Sequence, residues 1–117
     1  MRPIYLMITC AAALIAGFSG IGKIRHDPRV VSIIRDRIGV PLEYFPMLAA
    51  CEFAGAAGLL VGIWIPALGV AAGIGLVVYF IAAIASHLRV GDIAGIGPAA
   101  FMLFISAAAL VLRMRTM

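Results

Sequence analysis

The sequence predicts an all-α protein: a polytopic membrane four-helix bundle, with a short amphipathic interfacial helix between the first and second spans. Three observations predict it. Hydrophobic residues make up 65% of the 117-residue chain and charged residues 12%, about half the charged share of an ordinary globular domain. The apolar residues gather in four runs, each close to the roughly 20 residues that cross a bilayer as a helix. Finally, one charged segment lies between the first two runs. The hydrocarbon core offers backbone groups no water, so each run is expected to be helical. The length suits a single domain.

The first span is expected over about residues 4–21. Arg2 followed by an apolar run resembles a secretory signal, but the positions that follow suit cleavage poorly, so it is read as a retained span. The segment "HDPRVVSIIRDRIGVP" (26–41) carries helix signals over about 28–38. Asp27 is placed to cap, Pro28 to open the first turn, and Gly39 and Pro41 to stop it. Val30, Val31, Ile34 and Ile38 form an apolar stripe, and the arginines lie off it. Such a helix either rests at the membrane interface or folds over the bundle mouth as a lid.

The second and third spans, about 45–65 and 67–88, are joined by "WIPAL" (64–68), which predicts a tight antiparallel hairpin with Pro66 opening the next helix. Gly58 and Gly62, and again Gly69 and Gly73, have the small-xxx-small spacing that lets helices approach closely. The fourth span, about 93–112, begins with "GDIAGIGP" (91–98). Pro98 there predicts either irregular backbone over 93–97 or a kink.

The net charge of +4 is no nucleic-acid signature, because five of the nine basic residues (Lys23, Arg25, Arg29, Arg35, Arg37) sit beside one span end. Basic residues at span ends set topology and meet lipid headgroups. The loops after spans one and three carry six Lys/Arg, and the other side carries Arg2, Arg113 and Arg115. That asymmetry places the first side in the cytoplasm and both termini outside. The partners expected are the bilayer, other membrane or peripheral subunits or further copies of the chain, and no nucleic acid. Cys10 and Cys51 lie in apolar runs with no metal-site spacing, so they are read as small buried hydrophobes and no metal is expected. His26 and His87 alone make no haem site.

The anomaly is Glu52, alone among apolar and small residues in "MLAACEFAGAAGLL" (47–60). Ionisable residues inside a membrane are costly and point to function. Glu52 stands seven residues into its span, about 10 Å deep. Span parity puts it on the same side as Lys23, His87, Arg89 and Asp92, which together form the candidate polar site. Helical spacing puts Phe45, Leu48, Ala49, Gly55, Ala56 and Leu59 on the face of Glu52. Gly55 and Ala56 there, Ser19 and Gly20 near Lys23, and Tyr79 and Phe80 on span three are the candidate cavity-lining residues. Asp92 also suits a helix cap, and His87 is the group that could titrate near neutrality.

The strings "SGIGKI" (19–24), "CEFAGAAGLLVGIWIP" (51–66) and "ASHLRVGDIAGIGPA" (85–99) resemble the DoxX-like membrane proteins over nearly the whole chain, most specifically in Glu52 and the His87–Asp92 string. The resemblance implies a compact four-helix bundle in the bacterial plasma membrane. It also implies an association with quinone-linked sulfur chemistry or oxidative-stress complexes, since the family takes its name from subunits of a thiosulfate:quinone oxidoreductase. It carries over no catalytic set. The residues themselves leave three functions open ahead of an ion or proton channel, for which one carboxylate per chain would suffice only in an oligomer. The first is a quinone- or thiol-linked redox subunit, with a quinone as the one cofactor that a polar mouth beside an apolar cavity suits. The second is a non-enzymatic accessory or scaffold subunit. The third is a binder of a hydrophobic small ligand such as a lipid or isoprenoid.

Overall fold

The computed structural model describes residues 2–117. It is all-helical among the described residues, with four helices long and apolar enough to cross a membrane. α1 spans Arg2–Ile24. α2 (Pro28–Val31) runs directly into a π-helical stretch, Ser32–Ile38, and a 3₁₀ turn, Leu42–Tyr44, leads into α3 (Phe45–Val61). α4 covers Pro66–Arg89 and α5 covers Ile93–Thr116. Around the bundle, α1 packs on α3, α3 on α4, α4 on α5 and α5 back on α1.

Local chemistry accounts for the ends. The Asp27 carboxylate accepts from the Arg29 amide at 2.9 Å and Pro28 opens α2. Gly39 (φ 93°) ends the π stretch in the left-handed region that suits glycine, with its amide donating to the Ile34 carbonyl. The α3–α4 turn is tight because Gly62 and Gly69 let the backbones meet: a Cβ on Gly62 would run into the Gly69 backbone. Gly58 packs against Ala72 and Gly73 against Leu110 in the same way. The spaced glycines thus close the hairpin and join α4 to α5.

Two expectations are corrected. Residues 93–97 are not irregular, because α5 runs unbroken through Pro98. Pro98 is the sixth residue of the helix, so its missing N–H costs only a bond close to the N-terminus. Asp92 caps the same end by accepting from the Gly95 amide at 3.4 Å. Cys10 and Cys51 are exposed on the bundle exterior, not buried. Gly20 packs against Phe53, which puts Cys51 level with residue 22 of α1 and Cys10 about 18 Å further along. The two thiols do not meet.

The core is built from small residues, Ala12, Ala13, Ala16, Ala56 and Ala109, with Leu59, Leu76, Phe80 and Met102 filling the remaining space. Large apolar side chains such as Leu14, Phe18, Val78 and Phe104 point outward, as a bundle surrounded by lipid requires.

Candidate functional site

Glu52 is fully buried on α3. Lys23, from the last turn of α1, brings its ammonium to 2.5 Å from Glu52 Oε1 and donates to Ser19 Oγ at 2.7 Å. Tyr79, from α4, donates its hydroxyl to the same Oε1 at 3.2 Å. Three helices thus converge on one carboxylate oxygen, while Oε2 has no protein partner. The small faces of α1 and α3 allow this approach: Ala16 and Gly20 on one and Ala49 and Ala56 on the other are buried.

A second acid–base pair stands at the mouth. His87 Nδ1 lies 3.0 Å from Asp92 Oδ2, and Arg37 reaches Asp92 Oδ1 at 3.5 Å. Arg89 donates to the Ile38 carbonyl at 3.3 Å. Asp92 therefore caps α5, orients His87 and holds the π-helical segment. With Nδ1 engaged by a carboxylate, Nε2 is the ring atom left to meet a ligand, and it accepts when the ring is neutral.

Between these pairs lies a cavity of 380 Å³, within the usual range of ligand sites. Lys23 and His87 line it, along with Ser19, Ser86, Tyr79 and Phe80, while neither Glu52 nor Asp92 is part of the wall. Each carboxylate stands behind the base it holds. Val30, Ile33, Ile34 and Ile38 form the roof. The amphipathic segment therefore folds over the bundle mouth as a lid, with its apolar side on the cavity. The i→i+5 winding widens the stripe to include Ile33.

The sequence-predicted polar residues divide accordingly. Lys23 and Glu52 pair inside the bundle, His87 and Asp92 pair at the mouth, and Arg89 holds the lid from outside. Of the cavity-lining candidates, Ser19, Tyr79 and Phe80 line this cavity. Gly20, Gly55 and Ala56 do not. The Phe53 ring fills the space at Gly20, Leu76 fills that at Gly55, and Ala56 belongs to the core. Helix phasing puts space beside Glu52, but side chains from neighbouring helices occupy it.

Among the described residues, one buried charged residue lay outside the sequence-based site. Arg113, read as a topology anchor, is buried at the opposite end. It donates to Tyr5 Oη (3.2 Å) and to the carbonyls of Gly62 (3.1 Å) and Ile63 (3.3 Å). No sequence signal separates it from a snorkelling arginine at the end of a span.

The model of the DoxX-like family matches residues 7–109, a stretch that includes every residue of both acid–base pairs. This chain belongs to the DoxX-like family. No curated protein and no solved structure matched the chain. Family membership and the four spanning helices make it a small multi-pass membrane protein of the DoxX-like family in a lipid bilayer.

Proposed function

We propose that this DoxX-like protein binds the head of a quinone-type amphiphile beneath its lid and serves a membrane redox process, with the quinone as its exchangeable cofactor. The observation that carries this reading is Lys23: an ammonium on the wall of an otherwise largely apolar cavity, held by a carboxylate that is itself outside the wall. A quinone head fits that donor set. Its ring suits the Tyr79–Phe80 wall, where the two rings sit edge-to-face at 5.0 Å. Its oxygens accept from Lys23 or Ser19, and a reduced head can donate to His87. When bound, such a group supplies two-electron, two-proton chemistry.

The chain's own residues orient the head, hold a proton donor at Lys23 Nζ and exclude water beneath the lid. The thiol-linked form of the reading has less support, because both cysteines lie outside this cavity. Orientation follows from the exposed basic residues. Arg25, Arg29, Arg35, Arg37 and Arg89 lie on the mouth side against Arg2 and Arg115 on the other, which favours a cytoplasmic mouth in a bacterial inner membrane. An accessory-subunit role is compatible, since exposed Arg25, Arg29 and Arg35 offer an acidic partner a surface.

The test is titration of the protein in nanodiscs with a tail-less benzoquinone, followed calorimetrically. The Lys23→Gln/Glu52→Gln double variant removes both charges while keeping side-chain size. It is expected to bind about ten-fold or more weakly, the scale of one lost charge-assisted hydrogen bond. Equal affinity in the double variant, or no binding by the native protein, would sink the proposal.

A further inference from the structure

We infer that the cavity selects a para-quinol, held at both ring oxygens between Lys23 and His87, and that His87 is the residue that distinguishes this reduced head from its oxidised form. The inference rests on the quinone-head reading of the cavity and names the ligand within it.

The cavity wall follows α4 from Tyr79 to His87, a length of about 12 Å at the helical rise. Tyr79 marks the level of the Lys23 ammonium, because both groups bond Glu52 Oε1. His87 stands at the other end. Between them α4 contributes Phe80, Ala82 and Ala83, with Ser86, whose hydroxyl is spent on the Ala82 carbonyl at 2.9 Å. Two polar stations thus lie about 12 Å apart with an apolar stretch between them. A para-quinol has its oxygens about 5 Å apart, and a hydrogen bond of about 2.9 Å at each extends its reach to about 11 Å. An ortho isomer carries both oxygens on one edge and reaches one station only.

The donors and acceptors at the two stations are complementary to the reduced form. An ammonium has three N–H groups. Lys23 directs one to Ser19 and one to Glu52, which leaves one to donate to a ligand oxygen. At the other station the Asp92 carboxylate only accepts, so His87 Nδ1, 3.0 Å away, carries a hydrogen. Gly95 backs this ring closely, since a Cβ there would run into Nδ1 and Cε1. The orientation of His87 is therefore fixed by both Asp92 and Gly95. On the neutral ring Nε2 then only accepts. A quinol hydroxyl can donate to it, whereas a quinone carbonyl sets one acceptor against another. The charges around the ring are Asp92 from α5, Arg37 of the lid on the other Asp92 oxygen, Arg89 of α4 turned to the Ile38 carbonyl, and Lys23 from α1 at the far station.

The test is anaerobic calorimetric titration of the protein in nanodiscs at mildly alkaline pH, where an imidazole is ordinarily neutral. The probes are tetramethyl-para-benzoquinone, its quinol and the ortho isomer of that quinol, each corrected for partition into empty nanodiscs. The para-quinol is expected to bind about ten-fold more tightly than either of the others, the scale of one hydrogen bond gained at a group otherwise left unpaired. In His87→Asn the amide can keep the bond to Asp92, but no atom stands where Nε2 was. The three affinities should then converge. Equal binding of the para- and ortho-quinols by the native protein would overturn the spacing argument, and equal binding of quinol and quinone would overturn the role of His87. A para-quinol preference that persists in His87→Asn would overturn that role too. Each of these outcomes leaves the quinone-head reading standing, because a head still binds. Should His87→Asn fail to fold, the comparison of the three probes on the native protein decides alone. Failure of all three on the native protein would remove the cavity reading itself, and this inference with it.

Discussion

Both ends of the bundle bury a cation, and they do so in opposite ways. At the mouth, Lys23 meets a carboxylate and borders empty space. At the other end, Arg113 meets no carboxylate. Its guanidinium lies 4.7 Å from the centre of the Tyr5 ring and donates to the carbonyls where α3 ends, the negative pole of that helix. The planar fork of arginine suits several fixed acceptors at once, whereas lysine brings a compact charge on a flexible stem. One end is clamped by backbone carbonyls and the face of an aromatic ring. The other holds its charge with a side chain and presents it to a cavity. A buried charge in a membrane protein is thus informative through its partner and the space beside it, more than through its burial.

The comparison can be broken most forcefully at Glu52. Glu52→Leu alone leaves the Lys23 ammonium buried without an anion and is expected to destabilise the protein by about 3–5 kcal/mol. Adding Lys23→Met should recover most of that loss, since a buried pair often exchanges for apolar packing at little cost. Denaturant unfolding in mild detergent measures both. A double variant no more stable than the single one would show that Glu52 is held by Tyr79 rather than by Lys23.

Arg113→Met comes next, at about 2–3 kcal/mol, because it strands a buried hydroxyl and carbonyls. Quinone affinity of the folded protein should not change. A selective loss of binding with stability intact would mean that the far end is also part of the functional site. The smallest effect is expected from Asp92→Asn. Asparagine still caps α5, but it loses the charge that draws Arg37, a partly exposed pair worth under about 1 kcal/mol. Stability should barely move, whereas release of the tail-less quinone should quicken by about two- to three-fold as the lid loosens. An unchanged release rate would mean that the lid does not gate the cavity.

Some of the site was legible in the residues. Helical spacing put Phe45, Leu48, Ala49, Gly55, Ala56 and Leu59 on the face of Glu52, and all are buried except Leu48, which is half-buried on the cavity wall. The Asp27 cap needed only local geometry, as did the Asp92 cap. The burial of Arg113 was not legible, because an arginine at the end of an apolar run looks the same whether it snorkels or turns inward. Nor was the filling of the Gly55 recess, since Leu76 comes from a different helix. The partnership of Tyr79 with Glu52 crosses the same boundary.

The sequence by itself determined the number of spans, the hairpin at Pro66, the charged segment that becomes the lid, and the face of α3 that turns inward. Those follow from hydropathy, 3.6-residue periodicity and capping, which act within a turn or two of one chain segment. Only the tertiary structure decided that Lys23 rather than an arginine answers Glu52, that the bases line the cavity while the carboxylates stand behind, and that the apolar side of the lid borders the cavity. These depend on the rotation and register of one helix against another. Those are set by how glycine and alanine faces interlock across the whole bundle, at Gly62 against Gly69 and at Gly20 against Phe53.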